Sequence, residues 1–418
     1  METYQRPHVA LLLDRLSEPP RRIISIFGPR QTGKTTIVRQ ALRSIQRPHL
    51  YVDVDQPDSA SAGPSSHATT TFLPGQPRRD AEWLLRIWED ARTKADESPE
   101  GAILAIDEIQ KVPQWSEIVK GLWDQDRAED RWLHVVILGS APLLMQSGLN
   151  ESLAGRFEPL SVAHWGLQEM ARAFDFDLST YLYFGGYPGA AHLVNEETRW
   201  RDYVLGALVA PNIERDILAM TRVDKPALLK RLYSIGSQYS GQVMPYNKML
   251  GQLADAGNTT TLARHLDLLG NAGLLTGLQN YSENTLRRTR ASSPKLNVLN
   301  TALMTAESGY TFAEAKADRS FWGRIVESAV GAHLLNTATQ DINVHYWREG
   351  RNELDFVLRR GARLVAIEVK SGSRTRPMPG LEAFKQRFDP HSALVVGETG
   401  IPLHEFLSAP AAHWFDSS

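Results

Sequence analysis

Apolar residues fall in two rhythms along the chain. Short, nearly unbroken apolar runs occur in RRIISIF just before Gly28, in Ala102–Ile106 of GAILAIDEIQ, and in LHVVILGS. That is the pattern of strands buried on both faces. TTIVRQALRSI and DAEWLLRIWEDARTKA instead repeat their apolar positions at helical spacing, so strand, loop and helix follow one another as in an α/β fold. Further on, KPALLKRLYSIGSQYS, NKMLGQLADAG and NTTTLARHLDLLGNAGLL form three helical patterns with short breaks, the third opening on an Asn-Thr capping pair. Apolar alternation in LLTGLQNY, followed by the basic SENTLRRTRASSPKLNVLN, predicts a two-stranded wing. Towards the C-terminus, FWGRIVESAVGAHLL is an amphipathic helix, and VHYWREGRNELDFVLRRGARLVAIEVKSG gives two strand-like runs joined by a tight basic turn. PDSASAGPSSHATTTFLPGQP has almost no large apolar side chains and reads as an exposed, mobile loop, while FGGYPG breaks one helical pattern from the next.

Composition sets the outer bounds. The 418 residues carry ordinary apolar and charged fractions (42% and 22%) and a formal net charge of −2, enough chain for several domains with real cores. There are no cysteines, which excludes disulfides, thiolate zinc sites and cysteine nucleophiles, and is compatible with a reducing compartment. No run is long and apolar enough to cross a bilayer, and the expected location is the cytoplasm without membrane attachment. The near-neutral total decides nothing about nucleic acid, because one face can be basic while the rest is acidic. The histidines are scattered without metal-ligand spacing and are expected to be structural or superficial.

Chemistry enters at FGPRQTGKTT, which fits G-x-x-x-x-G-K-[ST] without a mismatch. Gly28, Pro29, Arg30, Gln31, Thr32 and Gly33 would curl the backbone so that its N–H groups face the phosphates of ATP at a helix N-terminus. Lys34 would reach the β- and γ-phosphates, and Thr35, with Thr36 beside it, would help hold Mg²⁺. Asp107 ends the second apolar run and would complete the Mg²⁺ shell, and Glu108 would orient and polarise the attacking water. Ser140 ends the third run, where a polar residue can sense the γ-phosphate.

These motifs, in this order, together with the Gly-Arg-Phe of NESLAGRFEPLSVAHWGLQEM, resemble the AAA+ P-loop ATPases. The resemblance implies that Arg156 is an arginine finger donated to a neighbouring subunit, and hence a homo-oligomer, a ring or hexamer. GGYP followed by a helix and an ERDI segment is similar to the helical part of a bacterial and archaeal AAA+ subgroup with an appended domain of unknown function.

The three helices and wing have the rhythm of a winged helix, in which the helix bearing Arg264 and His265 enters a groove while Arg287, Arg288, Arg290 and Lys295 hold phosphates. A winged helix that only packs against protein has the same pattern. In the C-terminal part, Asp355 on one run, Glu368 and Lys370 on the same face of the next, and Glu327 on the preceding helix resemble the PD-(D/E)XK, restriction-endonuclease-like constellation. Asp355 and Glu368 would bind Mg²⁺, Lys370 would act on the attacking water, and Glu327 would complete the shell. No Pro precedes Asp355, and Glu353 is a rival carboxylate. Arg348, Arg351, Arg359, Arg360, Arg363, Arg374 and Arg376 supply a candidate phosphate track.

The expected organisation is an AAA+ ATPase core with a helical lid at residues 1–220, a winged-helix domain at 221–305 and a nuclease-like α/β domain at 306–418. The expected function is an ATP- and Mg²⁺-dependent enzyme acting on DNA, branched or broken DNA such as a Holliday junction included, because the head resembles resolvases as well as restriction enzymes. The alternative is a regulatory or scaffolding ATPase that controls a partner protein, with an inactive nuclease-like domain as a docking module.

Overall fold

The computed structural model describes residues 4–55, 79–139, 152–217, 226–253, 258–283, 293–372 and 377–416. They divide into two units, one of residues 5–162 and one of residues 163–418 joined by Tyr4. The polar stretch 57–77 lies outside the described residues.

In the first unit five parallel strands lie in the order β2-β3-β4-β1-β5. They are β1 (Ile23–Phe27), β2 (His49–Asp53), β3 (Ala102–Asp107), β4 (Leu133–Gly139) and β5 (Phe157–Ser161). The apolar runs are unbroken in β3 and β4 because helices cover both faces of the sheet, and every residue of those strands is buried. Alternate side chains go to opposite layers. Ile103, Ala105, Val136 and Leu138 pack with Val9 and Leu12 of α1 (His8–Ser17) and with Ile37 and Val38 of α2 (Lys34–Arg43). Leu104, Ile106, Val135 and Ile137 pack with Leu84 and Trp88 of α3 (Ala81–Asp96) and with Val119 and Trp123 of α4 (Trp115–Ala128). The phosphate loop therefore joins a central strand to a helix docked on the sheet, and β3 delivers Asp107 at the same, C-terminal, edge.

The second unit begins with helices. Its two glycines in GGYP are both required by close backbone approach. Gly185 has φ +70°, and a Cβ there would lie 2.0 Å from Asn300 Oδ1; a Cβ on Gly186 would lie 2.0 Å from the Trp165 carbonyl oxygen. Residues 163–217, expected with the ATPase core, pack within this unit: His164 Nε2 donates to the Gly273 carbonyl at 2.8 Å, and Asn212 Nδ2 donates to the Ala272 carbonyl at 3.3 Å. Three helices, α5 (Pro226–Gln238), α6 (Tyr246–Gln252) and α7 (Thr259–Asn271), precede an antiparallel pair, β6 (Leu275–Leu278) and β7 (Lys295–Val298). Asn258 caps α7 by accepting from the Thr261 amide at 2.9 Å.

The long α8 (Arg319–Thr337) then leads into a sheet of order β11-β10-β9-β8. Its strands are β8 (Ile342–Glu349), β9 (Asn352–Arg360), β10 (Arg363–Lys370) and β11 (Ser392–Gly397). β8, β9 and β10 form an antiparallel meander, and β11 returns parallel to β10 after α9 (Pro379–Phe388). Phe384 of α9 is wholly buried among Leu354, Val357 and Ala366.

Candidate functional site

The loop after β1 is shaped by contact and by charge. A Cβ on Gly28 (φ +156°) would lie 2.0 Å from the Val162 carbonyl oxygen, and Gly33 (φ +90°) is the N-cap of α2. Lys34 is buried, and its Nζ donates to the carbonyls of Gly28 at 2.9 Å and Pro29 at 2.7 Å. Thr32 Oγ1 donates to the Pro29 carbonyl at 3.0 Å, and the buried Arg6 guanidinium donates to the Thr32 carbonyl at 2.8 Å. Thr35, the next residue of α2 after Lys34, reaches Asp107 across 72 residues of sequence because β1 and β3 end on the same side of the sheet.

Asp107 Oδ2 accepts from Thr35 Oγ1 and from the Tyr51 hydroxyl, each at 2.7 Å, and its Oδ1 accepts from the Glu108 amide at 2.9 Å. Glu108 occupies a left-handed conformation (φ 56°) that turns its side chain back, where Gln110 Nε2 donates to it at 2.6 Å and Lys111 stands at 3.7 Å. Burial, reinforced by Asp107, raises the Tyr51 pKa far above the usual phenol value. Burial also raises the Asp53 carboxyl, which pairs in register with Asp107. An ammonium, a hydroxyl and a carboxylate converge at the N-terminus of α2, and this donor set fits a magnesium nucleotide: Lys34 for phosphate, Thr35 and Asp107 for the cation.

Two further expected residues fall differently. Ser140 lies outside the described residues. Arg156 forms a two-pronged bond to Asp124 of its own chain, Nε at 2.7 Å and Nη2 at 2.9 Å, so a finger role requires that pair to open. Tyr51 and Arg6 carry no motif. The one signal for Tyr51 is period two: it shares a strand face with Asp53.

In the second unit the structure brings Glu327 of α8, Asp355 of β9, and Glu368 and Lys370 of β10 together. Register places Ile367 opposite Phe356, which sets Glu368 next to Asp355, and the Val369 amide donates to Asp355 Oδ2 at 2.8 Å. Lys370 Nζ donates to Glu368 Oε1, and Glu368 Oε2 is buried without a hydrogen-bond partner. Burial, then the charge of Asp355, raises the pKa of Glu327 to about 7 and also lifts that of Glu368. Glu353 leans instead towards Arg348 at 3.7 Å.

The residue the sequence pattern placed elsewhere is Lys295. Expected on an exposed wing to grip phosphate, it is wholly buried, with Nζ 2.5 Å from Glu327 Oε1 and 3.3 Å from Asp355 Oδ1. Burial alone would lower its pKa, but Glu327 and Asp355 outweigh that and hold it above the ordinary lysine value. With this ammonium between them, the two carboxylates do not fit a divalent cation, and among the described residues no group of three or more His, Asp or Glu could hold a metal.

Of the other expected DNA contacts, Arg264 is exposed on α7, whereas its neighbour His265 is buried and not offered to a groove. Arg287, Arg288, Arg290, Arg374 and Arg376 lie outside the described residues. Arg360 is paired with Asp341 at 2.6 Å.

Residues 20–171 match the AAA domain family, 175–313 match a domain of unknown function (DUF8612) and 322–408 match another (DUF4143). No curated protein is similar in sequence. Among solved structures, the Thermotoga maritima RuvB Holliday junction branch migration motor is similar over 69% of this chain and 91% of its own, at 16% identity and TM-score 0.32. The Aeropyrum pernix Orc1 protein in complex with DNA is similar over 75% and 94%, at 13% identity and TM-score 0.29. Likeness at these scores carries no argument about what this chain does. No helix among the described residues is long and apolar enough to cross a membrane.

Proposed function

We propose that the chain, whose residues 20–171 form an AAA domain, is an ATP hydrolase that uses its nucleotide cycle to act on DNA through the second unit. The observation that carries the reading is the bond at 2.7 Å between the Thr35 hydroxyl and the Asp107 carboxylate, beside a loop that already gathers the Lys34 ammonium. Lys34 and the loop would hold the phosphates, and Thr35 and Asp107 the Mg²⁺, which when bound neutralises phosphate charge. Glu108 would orient and polarise the attacking water once its bonds to Gln110 and Lys111 open. Ser140 would sense phosphate, and Arg156 would complete a neighbour's site in a homo-oligomeric ring. α7 with Arg264, and Arg287, Arg288 and Arg290 after β6, would bind the DNA backbone in winged-helix fashion.

A second reading, a regulatory ATPase whose nuclease-like head does not cut, is favoured by Lys295 lying between the carboxylates that would otherwise hold a metal. ATP turnover and nucleotide binding, each measured with and without DNA, test both readings. Lys34→Ala should lose nucleotide binding, and Glu108→Gln should bind ATP but turn it over about a hundredfold more slowly or worse, since only water activation is removed. Turnover that survives in Glu108→Gln assigns the base elsewhere. Wild-type turnover indifferent to every DNA form removes DNA as the partner and leaves the regulatory reading.

A further inference from the structure

The carboxylates of the second unit already have a cation. A primary ammonium has three N–H donors, and three acceptors surround Lys295 Nζ: Glu327 Oε1 at 2.5 Å, Asp355 Oδ1 at 3.3 Å and the Asp355 carbonyl oxygen at 3.2 Å. The Phe356 ring lies 4.8 Å away on another side. Its donors are thus used, and its backbone is fixed as well: Lys295 pairs with Leu278 of β6 on one side and bridges to Val243 on the other.

The rest of the seam repeats the design. Two residues on, the buried Asn297 faces the same helix, where its Nδ2 donates to the Ser328 carbonyl at 3.2 Å. Gly331 leaves room for it, since a Cβ there would lie 2.3 Å from Asn297 Oδ1. Ser240 and Ser328 share a bond at 2.8 Å, and Ser240 Oγ accepts from the Val298 amide at 3.1 Å. β7 is therefore joined to α8 and β9 by polar contacts around a wholly buried ammonium, which would be costly to leave without partners.

We propose that Lys295 is a built-in counter-ion that takes the place of a divalent cation at the Glu327–Asp355 pair, and that the cluster fastens β7 to α8 and β9 instead of activating water. Glu327 and one oxygen of Asp355 are engaged by Nζ, the second oxygen of Asp355 by the Val369 amide, and Glu368 by Lys370. Glu368 Oε2 is buried without a hydrogen-bond partner, but a divalent cation drawn to it and to the Glu327–Asp355 pair would have to displace the Lys295 ammonium that lies between those two carboxylates. The inference rests on the nuclease-like reading of this unit and is independent of the ATPase reading.

The test is Mn²⁺ binding, followed by electron paramagnetic resonance, to the nucleotide-free full-length chain carrying Asp107→Asn, so that nothing at the phosphate loop is counted. With Lys295 present, no tightly held Mn²⁺ is expected. Lys295→Met frees the carboxylates and should gain a Mn²⁺ site, which Asp355→Asn should remove again. A folded Lys295→Met protein that takes up no Mn²⁺ overturns the proposal. So does a tight Mn²⁺ site in the Lys295 protein that Asp355→Asn abolishes, and this arm decides the matter even where Lys295→Met fails to fold.

Discussion

His134 of β4 shows how a single side chain can tie stability to pH. The ring is 2% exposed, with Nε2 2.8 Å from the Glu18 carbonyl, to which it can only donate, and Nδ1 3.4 Å from Arg47 Nη1, from which it can only accept. The neutral ring satisfies both contacts; a proton on Nδ1 would face another donor. Burial, aided by the charges of Arg47 and Arg127, lowers its pKa to about 4 from 6.5. The folded-state value is depressed, so the unfolded chain takes up the proton first as pH falls, and stability drops from about pH 6.5 downward until the folded value is reached. Roughly 2 kcal/mol should be lost by about pH 5, at ~1.4 kcal/mol per pH unit. Denaturant melts across this range check it: His134→Gln should flatten that part of the profile, and an unchanged slope would assign the acid sensitivity to another group. Side chains that belong to a motif of fixed spacing were legible at this scale: Thr35 and Asp107 do bond to each other, and Lys34 does reach back to the Gly28 and Pro29 carbonyls of the loop. Tyr51 and Lys295 were not. Their roles are set by which strand lies alongside, and Lys295 sat in a basic run whose neighbours gave no hint that it would be the one to turn inward.

At the scale of elements, the contact between α3 and α4 depends on one carboxylate. Asp126 is wholly buried and accepts from Trp88 Nε1 at 2.8 Å, Arg92 Nε at 2.7 Å and Arg131 Nη1 at 3.1 Å. Arg92 is itself 5% exposed, and of its two carboxylate partners Asp126 is the wholly buried one, while Glu89, 2.5 Å from Nη1, is exposed. Asp126→Ala should therefore destabilise the first unit by about 3–5 kcal/mol, the range for breaking a buried pair on one side only. Asp126→Asn, which keeps an acceptor, should cost less. Thermal and urea melts measure both, and a loss below about 1 kcal/mol for the alanine would mean that Glu89 alone compensates the Arg92 charge. β3 and β4 could be read directly because strands covered on both faces are continuous apolar runs. β2 could not, since HLYVD is only half-buried, β8 was hidden by strand faces that mix polar with apolar residues, as in INVHYWRE, and β11 offers only the short apolar run ALVV between Ser392 and Gly397. The need for both glycines of GGYP is likewise a fact about neighbours, Asn300 and Trp165, which sequence distance conceals.

At the scale of the whole molecule, the two candidate sites belong to different units and share no residue: Lys34, Thr35, Asp107 and Glu108 lie within residues 5–162, and Glu327, Asp355, Glu368 and Lys370 lie within 163–418. On the reading proposed above, basal ATP hydrolysis draws on residues of the first unit alone. Asp355→Asn should leave basal turnover within about twofold of wild type, because sites without shared partners respond independently. The same substitution removes one of the two charges that compensate the buried Lys295 while its amide oxygen can still accept from the Val369 amide. Thermal stability should therefore fall in the variant even as turnover at low temperature persists. Steady-state ATPase rates and a melting curve on one preparation distinguish the outcomes. Loss of both would mean that the first unit cannot turn over without an intact second unit, whereas lost turnover with unchanged melting would make Asp355 part of the ATPase cycle itself. Intact basal turnover with loss of its stimulation by DNA would give the cluster its most specific role: holding β7, the strand that follows Arg287, Arg288 and Arg290, in the position from which DNA binding is signalled to the ATPase.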